Sequence, residues 1–174
     1  MTHSESCSSD RLYVGTVTAK KRYLLRVEVE PASQLVVLHL KRPGKPDKTM
    51  KLSTSNIPSF LHNAWAVMDV HALRCALSEK PRKSYTAGEG SSEIRLYRAK
   101  RDQEYYVDFS LWRRRSRMRL DRFNTLVNIL RRTAEAVGVN IAPQLAEHLS
   151  AEARMLEASE GIDRRLWAEI DMTL

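Results

Sequence analysis

The sequence contains two stretches of similar pattern, and this internal repeat constrains the fold more than any other feature of the chain. Residues 50–69 read MKLSTSNIPSFLHNAWAVMD, and residues 118–137 read MRLDRFNTLVNILRRTAEAV. Identical residues coincide at an offset of 68, namely Met50/Met118, Leu52/Leu120, Asn56/Asn124 and Ala66/Ala134. A repeat of this kind predicts one supersecondary unit that is used twice.

Two stretches of alternating apolar residues precede each copy, and their parity also matches. At an offset of 69 the matched pairs are Leu25/Ile94, Val27/Leu96, Leu38/Val107 and Leu40/Phe109. A slip of one residue in a strand turns every side chain to the opposite face. Agreement of parity at these positions therefore supports the repeat more strongly than the sparse identities do.

Composition is that of an ordinary globular protein. The 174 residues are 43% apolar and 29% charged, which is enough for one domain with a real core. The chain has no run of eighteen apolar residues, and its start, MTHSESCSSD, lacks the basic and apolar regions of a signal peptide. We expect an intracellular protein without a membrane span. Cys7 and Cys75 fit a reducing compartment and are too few for a zinc finger.

The net charge of +8 conceals an asymmetry between the body of the chain and its end. Residues 142–174 hold three arginines and seven acidic residues, so they carry −4 and residues 1–141 carry +12. A basic body indicates a polyanionic partner, most often nucleic acid, although many basic proteins are simply soluble.

The first unit is predicted to contain four strands and one helix. Strands are expected at 11–19, 22–30, 34–42 and Thr49–Ser53. Helical spacing follows, with Asn56 as N-cap, Pro58 in the first turn and an end near Leu77.

The second unit is predicted to repeat this order. Residues 78–92 suggest a linker, in which Ser84–Ala87 could pair as a weak first strand. The remaining expected elements are strands at Glu93–Lys100 and Glu104–Trp112, an arginine-rich turn at Arg113–Arg117, a strand at Met118–Leu120, and a helix with Asp121 as N-cap and Gly138 just past its end.

The last segment is amphipathic and acidic. It places Leu145, Leu149, Ala153 and Leu156 on one face, and a short helix bearing Leu166, Trp167 and Ile170 follows Gly161. Two interpretations stay open at this point: a helix that packs back on the domain, or an arm for dimerisation or partner binding. The predicted divisions are a disordered tail at 1–10, repeat 1 at 11–77, a linker at 78–92, repeat 2 at 93–138 and an acidic helical arm at 139–174.

The strand EYYVDFSLW divides its side chains between a core face and an open face. Tyr105, Val107, Phe109 and Leu111 form the core set, whereas Tyr106 and Trp112 join Arg95 and Tyr97 of the neighbouring strand on the other side. Aromatic rings among arginines suit a single-stranded nucleic acid, because bases stack and phosphates need charge. The alternative is that these rings pack under a loop or against the other unit's helix.

An arginine run follows this strand. Like charges crowded together cost stability unless an anion relieves them, and the guanidinium fork matches a phosphate, although a solvated charge run is the alternative. The corresponding loop of the first copy carries Lys41, Arg42, Lys45 and Lys48. The predicted nucleic-acid-binding residues are Arg95, Tyr97, Tyr106, Trp112, Arg113, Arg114, Arg115, Arg117, Arg119, Lys41 and Arg42.

The stretch EYYVDFSLWRRRSRMRL (residues 104–120) resembles the PUR repeat. The matching elements are aromatic-aromatic-aliphatic-Asp at residues 105–108, a basic turn around Arg114, and an apolar-basic-apolar exit at residues 118–120. The resemblance implies four strands and a helix per repeat, two interlocked repeats, and binding of single-stranded DNA or RNA. The chain departs from the family at the turn glycine, where Arg115 or Ser116 stands, and at an asparagine replaced by Trp112. Whirly and PC4 proteins share the strand and helix order.

We therefore predict an α+β protein in which two ββββα repeats form one pseudo-twofold PUR/whirly-like domain, followed by a C-terminal helical arm. The predicted function is binding of single-stranded DNA or RNA in transcription, replication or nucleic-acid regulation. The alternative is a regulatory protein-interaction module that binds an acidic partner through the basic face or the C-terminal helices. A third hypothesis, binding of duplex DNA by a helix in the major groove, is less favoured, because the most basic segment is predicted as a turn and not as a recognition helix. Homo-oligomers through the C-terminal helices are a further expectation.

No enzyme, cofactor, metal or small-molecule substrate is predicted. His71 and Cys75 are four residues apart, but a zinc site needs three or four ligands and no CxxC or HxxxH pattern supports them. Phosphate-loop, dinucleotide and nucleophile-elbow motifs are absent from the sequence.

Overall fold

The computed structural model describes residues 12–20, 23–30, 32–111 and 114–172, and in these residues the chain is α+β. Two four-stranded antiparallel sheets run in chain order, β1-β2-β3-β4 and β5-β6-β7-β8. The strands of the first sheet are β1 (Leu12–Lys20), β2 (Tyr23–Glu30), β3 (Leu35–Lys41) and β4 (Lys48–Ser53). Those of the second are β5 (Ser84–Ala87), β6 (Ile94–Arg98), β7 (Tyr105–Leu111) and β8 (Arg114–Arg119). The helices are α1 (Ile57–Ala76), α2 (Leu120–Val137) and α3 (Ala142–Met172).

Equivalent apolar ladders cross the centres of the two sheets. In the first sheet Val27 pairs with Leu38 and Leu38 with Met50. In the second sheet Leu96 pairs with Val107 and Val107 with Met118. All six belong to the hydrophobic core or pack against it, so the predicted core parity of these strands is confirmed.

Each of the first two helices packs on the sheet of the other unit. Helix α1, which follows the first sheet, packs on β5 and β6, and α2, which follows the second sheet, packs on β1 and β2 as well as on β7 and β8. Three phenylalanines connect these elements: the ring of Phe60 lies 6.0 Å from those of Phe109 and Phe123, which are 5.1 Å apart. The two sheets and two helices therefore share one core.

One close approach between the two halves is at β1. Gly15 lies against Ile129 of α2, and a Cβ atom at Gly15 would fall 2.9 Å from Ile129 Cγ1. Nearby, Arg122 Nη1 of α2 donates to the carbonyl oxygen of Thr18 at 3.2 Å. Glycine is therefore required at this position by the space available and not by its backbone angles.

Helix α3 packs along α1 and is held there by a histidine. His148 stacks on Trp65 with ring centroids 4.6 Å apart, and its Nδ1 lies 2.8 Å from Asp69 Oδ2. Its Nε2 lies 3.3 Å from Glu152. Burial raises the pKa of the Asp69 carboxyl, and the contact with His148 opposes that shift. The acidic helix thus packs on the domain, which was the first of the two interpretations left open by the sequence.

Several predicted boundaries differ from the structure. Residues 114–117 of the segment predicted as an arginine-rich turn belong to strand β8, in which Arg115, Arg117 and Arg119 alternate with Ser116 and Met118 and pair with β7; Arg113 lies outside the described residues. Alternation directs the charged and apolar side chains to opposite faces, so the arginines need no turn to stay solvated.

Helix boundaries also differ from those predicted. Asp121 is not an N-cap but lies in the first turn of α2, where the carboxylate faces the positive end of the helix dipole. Asn56 occupies the cap position of α1 without a side-chain capping bond. Gly161 does not interrupt α3, since one glycine costs a long helix only about 1 kcal/mol. Gly138 ends α2 at φ 71°, as predicted.

Other expectations are met by the described residues. Ser84–Ala87, considered as a weak strand within the predicted linker, is strand β5. None of the helices in the described part of the chain is long and apolar enough to cross a membrane.

We expect Gly15→Val to lower the free energy of unfolding by about 1–3 kcal/mol, because the new methyl groups overlap the buried Ile129. Chemical denaturation measures this directly. Gly161→Ala is the control: nothing lies within 4 Å of its Cβ position, and alanine favours the helix by about 0.5–1 kcal/mol. Equal stability of Gly15→Val and the native chain would contradict the close packing of β1 on α2.

Candidate functional site

The outer face of the second sheet gathers most of the residues predicted to form a site. Across the sheet, Tyr97 pairs with Tyr106 and Tyr106 with Arg119, while Arg95 pairs with Asp108 and Asp108 with Arg117. Strand alternation directs these side chains away from the buried Leu96, Val107 and Met118. The predicted site residues that share this face are Arg95, Tyr97, Tyr106, Arg115, Arg117 and Arg119.

Tyr97 lies at the centre of the face. The guanidinium carbons of Arg95 and Arg117 lie 5.2 Å and 5.4 Å from its ring centroid, within the range of cation–π attraction. Its ring also stacks on Tyr106, with centroids 6.2 Å apart and planes at 26°. One aromatic ring therefore fixes the positions of two arginines on an exposed surface.

Asp108 holds this cluster together from within the sheet. It accepts hydrogen bonds from Arg117 Nε at 2.8 Å and Arg117 Nη2 at 3.3 Å, and one from the Tyr97 hydroxyl at 3.4 Å. The hydrogen bond to Asp108 raises the pKa of Arg117. Burial raises the pKa of the Tyr97 hydroxyl, and the charge of Asp108 raises it further. Both shifts favour the protonated forms.

Asp102 anchors the other end of the face. It accepts a hydrogen bond of 2.6 Å from the Tyr106 hydroxyl and one of 3.1 Å from the backbone N–H of Glu104. The hydrogen bond from Tyr106 holds the pKa of Asp102 below its usual value. Contact with Tyr106 also raises the pKa of Arg119. The rings on this face are thus engaged by partners from the same chain.

The other predicted site residues are placed differently. Lys41 and Arg42 belong to the first sheet and its following turn, where Arg42 Nη2 donates to the carbonyl oxygen of Pro46 at 3.0 Å. Arg42 therefore stabilises a turn. Trp112 and Arg113 lie outside the described residues, and for Arg114 only the backbone is described, paired with Leu111.

Asp108 and Asp102 were not assigned a role from the sequence. Alternation places Asp108 on the open face, but its pairing with Arg117 depends on the register of β7 with β8, which the expected turn at 113–117 concealed. Asp102 stands in the hairpin before β7, and no periodic pattern marks it. The available signal for Asp108 was an acidic residue on the open face of a strand flanked by two arginine-rich segments, which indicates a pairing with arginine.

A second polar cluster lies under the sheet around the buried His71. His71 of α1 contacts the rings of Tyr85 and Tyr105, with centroids 5.4 Å and 4.3 Å away, and its Nε2 lies 3.8 Å from Cys75 Sγ. Among the described residues its Nδ1 has no hydrogen-bond partner. Burial lowers the pKa of His71, which favours the neutral ring. No group of three or more potential metal ligands occurs in the described part of the chain.

Comparison with known proteins gives few matches. No family model matches the sequence, and no curated protein matches it. Among solved structures the chain is similar to an SsgA-like sporulation-specific cell division protein from Thermobifida fusca, with 15% sequence identity and a TM-score of 0.31. The likeness covers 84% of this chain and 93% of that chain. At this TM-score it transfers neither fold nor function.

These findings correct the family and the function expected from the sequence. The PUR expectation is wrong: no family model matches the sequence. The predicted binding of single-stranded DNA or RNA, with a part in transcription or replication, rested on that resemblance and on an open stacking face, and it is wrong with them. The geometry gives a physical reason, since the tyrosines that were to stack on bases are stacked on each other and on arginines.

We expect acid to destabilise the protein partly through His71. Folding lowers the pKa of His71 from its ordinary value of 6.5, so at a pH between the folded and unfolded pKa values the unfolded chain binds more protons. Stability therefore falls as the pH drops below about 6.5. Replacing the ring by His71→Phe should reduce this loss, because phenylalanine has no group that takes up a proton on unfolding. Urea denaturation of both proteins at pH 7.5 and pH 5.5 measures the difference. Identical pH dependence would show that His71 is not buried in neutral form.

Proposed function

We propose that this chain is a non-enzymatic protein-interaction module that binds an acidic protein partner through the outer face of its second sheet. The observation that carries the proposal is the arrangement of Arg95 and Arg117 around the Tyr97 ring. Both side chains are exposed, and both are held in place by contacts within the sheet. Because the guanidinium groups are already ordered, binding of a partner carboxylate would cost less side-chain entropy.

The charge of the face favours an acidic ligand. Arg95, Arg115, Arg117 and Arg119 are all exposed on it, and the carboxylates of Asp108 and Asp102, which contact its side chains, offset only part of their charge. Arginine binds carboxylates through two parallel hydrogen bonds, which gives both strength and orientation. Complementary charge of this kind contributes mainly to specificity and to the association rate.

We also propose that the two halves of the protein are copies of one ββββα unit, related by an approximate twofold axis. The ladders Val27–Leu38–Met50 and Leu96–Val107–Met118 support this, because their members also match in the aligned sequences. The equal strand order of the two sheets supports it as well. The first sheet has one arginine at the matching place, Arg26, which lies 4.9 Å from the centroid of the Tyr13 ring and 2.8 Å from Glu28, so the arginines of β8 would be what the second copy gained.

Binding of a labelled glutamate-rich peptide tests the proposal. In a fluorescence anisotropy titration, the native protein should bind this peptide and not a matched glutamine peptide, with affinity that falls as salt rises. The triple variant Arg95→Gln, Arg115→Gln, Arg117→Gln should bind about tenfold more weakly or worse, because each lost contact removes a charge-assisted hydrogen bond.

A charge-matched variant of the first sheet serves as the control. Lys41→Gln, Lys45→Gln, Lys51→Gln removes three exposed positive charges that lie outside the proposed face. It should retain most of the affinity. Equal weakening by the two triple variants would show that net charge alone attracts the peptide, and absence of binding to the native protein would overturn the proposal.

A further inference from the structure

A wide cleft lies between α1, α3 and the region where β8 passes into α2. Its volume is about 930 Å³, near the upper end of the range for ligand sites. Helix α1 contributes Met68 and Ala72 to its wall, and α3 contributes Met155 and Leu156. Leu120, at the start of α2, closes the remaining side.

The walls of this cleft are mostly apolar and suited to a flexible fit. Met68 and Met155 are unbranched and polarisable, so they adapt to partners of different shape. Leu156 is 63% exposed, which is unusual for a leucine beside a groove of this size. Covering these side chains would remove apolar surface from water, which is the main favourable term in association.

The rim of the cleft is acidic. Glu104, Asp121 and Glu152 are exposed residues that line it, and Arg119 is the exposed cation among the lining residues that the structure describes. Asp69 and His148 also line the cleft, but they are engaged with each other at 2.8 Å. Outside the cleft lining, α3 carries the exposed Glu157 and Glu160 and also the exposed Arg154 and Arg164, which offset one another, so the charge of the rim is set by its lining residues. The potential at this rim therefore attracts positive charge.

We propose that this cleft is a docking site for a basic amphipathic helix of a partner protein. The charge of the rim favours lysine or arginine on the flanks of the ligand, and the apolar walls favour leucine-like residues at its centre. Helices α1 and α3 form two of the walls, and the groove between two packed helices accepts the side-chain ridges of a third. Arg119 borders both surfaces, but Arg95, Arg115 and Arg117 lie outside the cleft lining, so this proposal goes beyond the function proposed above.

A designed peptide of about 18 residues, five turns of helix, tests the proposal. It carries leucines at helical spacing on one face, lysines on both flanks and a fluorophore; a second peptide has glutamate in place of every lysine. The native protein should bind the lysine peptide at least about tenfold more tightly than the glutamate peptide, because the rim repels the latter.

Two leucines of α3 give a matched pair of variants. Leu156→Glu should weaken binding of the lysine peptide by about tenfold or more, since it places a charge against the apolar wall. Leu149→Glu changes another exposed leucine, 48% accessible, that is not part of the cleft lining, and it should leave the affinity within about twofold. Circular dichroism and thermal melts confirm that both variants fold.

Each other outcome overturns the proposal. Equal effects of the two leucine variants would place binding elsewhere on α3, equal binding of the two peptides would remove the role of charge, and absence of binding would leave the cleft without this ligand. The triple variant Arg95→Gln, Arg115→Gln, Arg117→Gln should bind the lysine peptide normally. Failure of the acidic-partner proposal would therefore be distinguished from failure of this one.

Discussion

The exchange of helices between the two sheets is the constraint on which the rest of the structure depends. Phe60 of α1, Phe109 of β7 and Phe123 of α2 form one aromatic cluster, so the packing of both helices is set at a single place. Because α1 is fixed against β5 and β6, its other side is available to α3. The cleft and its acidic rim follow from that arrangement, and the outer face of the second sheet is left free of helices by it.

Much of the sheet structure could be predicted from the sequence, because two-residue alternation reports burial directly. It identified Ile94, Leu96, Val107 and Phe109 as core residues, and all four are buried. It also placed Arg95, Tyr97 and Tyr106 on one open face. What alternation does not report is which side chains meet across neighbouring strands. The Asp108–Arg117 pair depends on register, and register depends on a strand that had been predicted as a turn.

The functional misinterpretation had the same origin. Aromatic and basic residues on one strand indicate a stacking platform only if the rings are unengaged, and composition does not distinguish an open ring from one already in contact. Here the Tyr106 hydroxyl donates a hydrogen bond to Asp102. The Tyr97 ring contacts Tyr106, Arg95 and Arg117 of the same sheet. The cleft beside α3 was beyond prediction for a different reason, since its lining comes from α1, β7, the junction of β8 with α2, and α3, which only the fold brings together.

The helix exchange also bears on how the chain is made. During synthesis the first sheet leaves the ribosome well before α2, whose residues 120–137 cover β1 and β2. The apolar surface of that sheet, which includes the fully buried Val27, stays uncovered until those residues emerge. Folding of the amino-terminal half is thus delayed until most of the chain is available, and such exposure favours association with chaperones or with other nascent chains.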